Sequence, residues 1–148
     1  MFKHLLATLD GSPRAESVVP LALDIAKAMG AEITLLRIVR AGNSEKSEPG
    51  EIGEHDASAS SESIGVDQAT KYLNRVAEEL QRQGVTAHIV VKHGSPAEQI
   101  VSAAKEAGAD AIMMATHSRR GINRLMFGSV AEEVLHESPL PILLIRAA

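Results

Sequence analysis

The residues best equipped for chemistry gather in one stretch, 113–130, reading Met-Met-Ala-Thr-His-Ser-Arg-Arg-Gly-Ile-Asn-Arg-Leu-Met-Phe-Gly-Ser-Val. It opens as the end of an apolar run and turns small and polar through Ala115, Thr116, His117 and Ser118. Three arginines follow, Arg119, Arg120 and Arg124, and the stretch closes on Gly128-Ser129 ahead of a helical pattern. A strand end, a small-residue loop, positive charge and a fresh helix N-terminus are the parts of an anion site. Unpaired backbone N–H groups and the helix dipole both favour a phosphate there. A solvated loop with an ordinary helix cap fits the same residues. A second polar cluster, Asp10-Gly11-Ser12-Pro13, follows the first apolar segment, and its aspartate is suited to accepting hydrogen bonds or to closing an Asx-turn.

Several chemistries lack their parts. The chain has no cysteine, hence no thiol nucleophile, thiolate metal site or disulfide framework. His4, His55, His88, His93 and His136 are scattered and form no metal-ligand pattern. His117 has no second histidine or carboxylate at a partner's spacing and is read as a loop residue. No lysine follows a glycine loop in the Walker arrangement, and no Mg²⁺ carboxylate cluster extends beyond Asp10. The reading of these residues is of a protein that is not an enzyme.

The chain of 148 residues suits one domain, 1–148, with a substantial core. A net charge of −4 speaks against general nucleic-acid affinity, which needs a concentrated basic surface. The basic residues near Arg119 are local and suit one small anion. The N-terminus lacks a signal peptide's layout, and no apolar run approaches membrane-spanning length, so a cytoplasmic protein without membrane contact is expected.

The elements that must position these clusters alternate. Residues 2–9 read as a strand, and Ser12 with Pro13 starts a helix that Gly30 stops. Residues 32–39 form a second strand, interrupted by the charge of Arg37. Residues from about 41 to 65 are rich in Ser, Glu and Gly and bury too little to offset their ordering entropy, so a disordered loop is expected. A helix over 66–82 carries Ala69, Leu73, Val76, Ala77 and Leu80 on one stripe. A strand over 86–92 leads to Ser95 and Glu98, spaced as a capping box for a helix ending at Gly108. The fourth strand is 111–115, and Ser129 with Glu132 is a second capping box. Pro139 and Pro141 end that last helix before a strand at 142–145. Such alternation predicts an α/β fold, a parallel sheet with helices on both faces. Ligands on such sheets bind beyond the carboxyl ends of strands, where strand order reverses. Periodicity alone leaves open whether the first and fourth strands are neighbours.

The chain resembles the universal stress protein family over nearly its whole length. The likeness lies in Leu5-Leu6-Ala7-Thr8-Leu9-Asp10-Gly11-Ser12, in Gly94-Ser95-Pro96-Ala97-Glu98-Gln99-Ile100, and above all in Ala115-Thr116-His117-Ser118-Arg119-Arg120-Gly121 through Gly128-Ser129-Val130-Ala131-Glu132-Glu133-Val134-Leu135. Ser138-Pro139-Leu140-Pro141-Ile142-Leu143-Leu144-Ile145 completes it. The resemblance implies an open five-stranded parallel sheet in the order 3-2-1-4-5, of the adenine-nucleotide alpha-hydrolase-like kind. It also implies a homodimer through the last strand, 140–146. Family members that bind ATP carry Gly-x2-Gly-x9-Gly-(Ser/Thr) after the fourth strand. Here that spacing falls on Ala115, Ser118 and Gly128-Ser129, so two glycines are replaced by small residues. By resemblance Asp10 would accept hydrogen bonds from ribose or adenine, and Thr8, Ile38 and Val39 would shape the adenine slot, with Val39 offering backbone groups. Met114 and Ala115 would lie under the base and ribose. Ser118, Gly128, Ser129 and Val130 would meet the phosphates of ATP, with or without Mg²⁺, while His117 and Arg119 belong to the same loop. The implied role is nucleotide-binding stress-response regulation towards an unidentified protein partner, with weak ATP hydrolysis as the most that the chain would catalyse. The alternative is a dimeric stress-response interaction module that binds no nucleotide.

Overall fold

Strand β1 (His4–Thr8) takes the centre of the sheet because its side chains are apolar towards both faces: Leu5, Leu6 and Ala7 are all fully buried. The computed structural model describes residues 2–39, 57–117 and 128–147. In chain order β1 is followed by α1 (Pro13–Glu16), α2 (Val18–Met29), β2 (Glu32–Val39), α3 (Ala57–Arg82) and β3 (Ala87–His93). Then come α4 (Pro96–Ala107), β4 (Ala111–His117), α5 (Ser129–Glu137) and β5 (Ile142–Ala147). The five strands lie in the order β3-β2-β1-β4-β5, and every neighbouring pair is parallel. Leu6 therefore faces Thr34 on one side and Ile112 on the other, and β1 and β4 are adjacent.

Alternation along the strands divides the core in two. Leu5, Ala7, Ile33, Leu35 and Met113 pack towards α2 and α3, with Val18, Ala22, Leu73 and Leu80. Leu6, Leu36, Ile112 and Met114 pack towards α4 and α5, with Ile100, Ala104 and Val134. At the N-terminal end of the sheet the Asp110 carboxylate accepts hydrogen bonds from the backbone N–H groups of Lys3 (2.6 Å) and His4 (2.9 Å). Those N–H groups hold its carboxyl below the usual carboxylate range.

The structure departs from the sequence expectations in four places. The first helix is two, because Ser17 closes α1 before α2 begins. Helix α3 starts at Ala57, so residues 57–65 are helical rather than part of a disordered loop; residues 40–56 lie outside the described part. A helix anchored by a packed stripe gains one backbone hydrogen bond per added residue, so it can run into polar sequence beyond its buried face. Strand β4 continues to His117 because β5 offers it partners, Thr116 opposite Arg146 and His117 opposite Ala147. Neither expected capping box forms: Ser95 makes no side-chain cap bond, and the cap of α5 is Gly128, one residue ahead of Ser129. The Gly128 carbonyl accepts the Glu132 N–H at 3.0 Å, which puts Ser129 at the first helical position. Ser12 does cap α1, its hydroxyl accepting the Ala15 N–H at 3.2 Å ahead of Pro13.

Candidate functional site

Strand order reverses between β1 and β4, and a crevice opens beyond their carboxyl ends. It holds a cavity of about 320 Å³, within the range of about 300–1,000 Å³ common for small-molecule sites. Strand alternation decides which side chains reach it. Thr8, Ile38 and Met114 project towards the α4/α5 side and line the cavity, with Ile100 and Pro96 of α4 and Ala131 of α5. This apolar floor suits a flat, weakly polar group such as a nucleobase. Thr8 Oγ1 lies 3.4 Å from the Met113 carbonyl, a long hydrogen bond across to β4.

The polar rim comes from two chain breaks. After β1, Asp10 and Ser12 line the cavity, and the Asp10 Oδ1 accepts the Ser12 N–H at 2.8 Å, an Asx-turn. Across the cavity stand Gly128, Ser129 and Val130, the start of α5. Gly128 has φ 85° and ψ 152°, a conformation essentially restricted to glycine. The first N–H groups of such a helix have no partner within it, and the dipole adds positive potential where an anion could sit. Asp10 and Arg14 are the charged members of the described lining.

Of the residues singled out from sequence, Thr8, Asp10, Ile38, Met114, Ala115, Gly128, Ser129 and Val130 all border this one cavity. Val39 does not. It follows Ile38 along β2 and so turns to the opposite face, where it neighbours Gly65 of α3, and its carbonyl accepts the Gly94 N–H at 3.3 Å. His117 ends β4, and Ser118 and Arg119, with Arg120 and Arg124, lie outside the described residues. Sequence reasoning missed Ser12, Arg14, Pro96 and Ile100 as lining residues. The signal was present in the two Ser-Pro pairs, Ser12-Pro13 and Ser95-Pro96, each placing a helix start just past a strand's carboxyl end. Among the described residues no group of three or more His, Asp or Glu side chains could hold a metal ion, and no helix is long and apolar enough to cross a membrane.

A parallel α/β sheet with a ligand-sized crevice at its point of strand reversal defines a class that hosts many functions, so the fold leaves the function open. Comparison with known proteins narrows it. The model of the universal stress protein family matches residues 1–146, and this chain belongs to that family. It is 28% identical to the universal stress protein YxiE of Bacillus subtilis, over 99% of this chain and 100% of that protein. The solved structure of MJ0577 from Methanocaldococcus jannaschii superimposes with a TM-score of 0.81 at 23% identity, covering 100% of this chain and 98% of that one. A universal stress protein from Archaeoglobus fulgidus, solved in complex with dAMP, gives a TM-score of 0.66 at 21% identity, covering 98% of each chain.

Proposed function

We propose that this chain is a stress-response regulatory protein that binds an adenine nucleotide, ATP, at the carboxyl ends of β1 and β4. One observation carries the reading: Asp10 and the Gly128-Ser129 helix start, distant in sequence, border a single cavity of about 320 Å³. The apolar floor of Ile38, Ile100 and Met114 would take the adenine, and Asp10 the ribose hydroxyls. The phosphates would meet the N-terminus of α5, with Ser118 and Arg119 following β4 in sequence. Mg²⁺ would enter with the phosphates. The dAMP held by the Archaeoglobus fulgidus protein supports an adenylate as the ligand class. The residues are assigned to binding and positioning, with no bond-breaking step. Occupancy would bias the flanking segments towards a partner-competent state.

Self-association through β5 belongs to the same proposal. The strand is an edge of the sheet, and Ile142, Leu143, Leu144 and Ile145 are each only half-covered. The opposite edge, β3, is guarded by His88, Lys92 and His93, the kind of polar equipment that discourages strand pairing. The β5 edge lacks it until Arg146. This contrast also favours the second reading, a dimeric interaction module without nucleotide.

The chain has no Trp and a single Tyr, so a co-purified adenine nucleotide would dominate its absorbance near 260 nm. Release by heat and chromatography would identify it. Calorimetric titration with ATP and Mg²⁺ then decides: saturable binding supports the proposal, and its absence leaves the interaction module.

A further inference from the structure

The turn Asp10-Gly11-Ser12 borders the cavity through Asp10 and Ser12, and Arg37 packs against it from the α2/α3 side. Arg37 of β2, half-buried on the α2/α3 side, reaches beneath Gly11; a Cβ added to that glycine would stand 2.6 Å from Arg37 Nη1. Gly11 also has φ +85°, a conformation that favours glycine, whereas the guanidinium could shift to admit a Cβ. The Arg37 Cζ lies 5.6 Å from the ring centre of Tyr72 on α3, within cation–π range, and Arg75 Cζ is 5.9 Å from the same ring. The Tyr72 hydroxyl donates to Glu16 Oε1 at 2.7 Å, and Glu16 ends α1. The Glu16 end of residues 10–16 is therefore hydrogen-bonded to α3 through Tyr72, while at the other end the Arg37 guanidinium, over the same ring, packs against Gly11. Burial, then the hydrogen bond and charge of Glu16, with Asp10 adding, push the Tyr72 phenol well above its usual range against the opposing pull of Arg37. The hydroxyl thus keeps its proton and remains a donor at neutral pH.

We propose that Arg37 and Tyr72 are positioning residues for the nucleoside end of the crevice: by clamping residues 10–16 to α3, they fix the Asp10 carboxylate at the cavity wall. The inference rests on the nucleotide reading. Asp10 is itself exposed, and its turn is closed by its own Asx bond to Ser12, which sets the local shape but not the turn's place over the sheet. A hydrogen-bonding carboxylate free to drift must be ordered by its ligand, at a cost in affinity.

The test uses the full chain and two probes, adenosine and ATP with Mg²⁺, titrated by calorimetry. Tyr72→Phe, Glu16→Ala and Arg37→Met should each weaken both probes by a similar factor, about three- to tenfold, since the loss falls on the part the two ligands share. The Tyr72→Phe/Glu16→Ala double variant should bind no worse than the weaker single one, because both break one link. Val76→Ala, a truncation on α3 in the same core, supplies the control: it should lower the melting temperature and leave both affinities unchanged. Unchanged affinity in all three variants, fully additive losses, or an equal loss in Val76→Ala would overturn the positioning role while nucleotide binding stood. If the unaltered chain bound neither probe, the nucleotide reading would fall and this inference with it.

Discussion

Replacing Gly128 by valine tests the start of α5 as the phosphate site. With φ 85° and ψ 152°, Gly128 occupies a region that costs a side-chain-bearing residue about 1–3 kcal/mol. Valine has two ways to respond. It can hold the glycine conformation and lower the stability of the protein by that amount, which in a domain of this size appears as a fall in melting temperature of roughly 2–12 °C. Alternatively it can rotate to negative φ, which relieves the strain but swings the peptide joining Gly128 to Ser129 and re-aims the first N–H groups of α5. In the second case the native geometry must be restored before phosphate can bind, and the same about 1–3 kcal/mol becomes roughly a 5- to 150-fold loss of ATP affinity. Thermal melts and calorimetric titrations with ATP and with adenosine separate the two responses. We expect ATP affinity to fall well beyond adenosine affinity. Undiminished ATP binding with an undiminished melting temperature would refute the argument, since the chain would then have neither strain nor a phosphate site at Gly128.

Three further expectations follow from the core, the sheet's N-terminal end and its open edge. Leu6 and Ile112 are fully buried on the α4/α5 side, so Leu6→Ala or Ile112→Ala should cost about 2–5 kcal/mol in urea unfolding, and a loss below about 1 kcal/mol would contradict the packing described. Asp110, its carboxyl held low by the Lys3 and His4 N–H groups, contributes stability above the unfolded carboxylate value of about 3.9 and loses it as pH falls through the depressed folded value. Asp110→Asn should therefore melt earlier than the unaltered chain at pH 7, with the gap closing in strong acid; a gap of constant size would show that ionisation plays no part. The proposed pairing through β5 predicts that Leu144→Lys, placing a charge on that strand, lowers the self-association read by sedimentation, and self-association unaltered by the change would move the interface away from β5.

Much of the scaffold was legible in the chain because its signals are local and repeated. Gly30 and Gly108 stop their helices in left-handed conformations, as their place after apolar stripes suggests, and Leu73, Ala77 and Leu80 form the buried stripe that periodicity marks out. The start of α3 was not legible, because a helix propagating from a packed end leaves no cap signature among Ala, Ser and Glu residues. Ser129 was misassigned as a cap for a related reason: a serine beside a glycine fits two adjacent positions, and only backbone angles distinguish them. Val39, expected to offer backbone groups, carries its side chain on the other face, one residue past Ile38, so alternation keeps that side chain out of the cavity. The adjacency of β1 and β4, on which the crevice depends, is a long-range pairing that periodicity does not encode; family resemblance supplied it.

On the α4/α5 side of the sheet Ala97, Ala103, Ala104, Ala109 and Ala131 pack among Leu6, Leu36, Ile112 and Val134, and the crevice is notched into its rim beside Ile100 and Met114. A base seated in that notch would act as a keystone, extending that layer from outside the polypeptide. Occupancy would then be felt as stiffening of one flank of the molecule, slowing amide exchange in α4 and α5 while leaving α2 at its former rate. A protein built in this way could register its ligand as a difference in firmness between its two sides, with little displacement of the backbone.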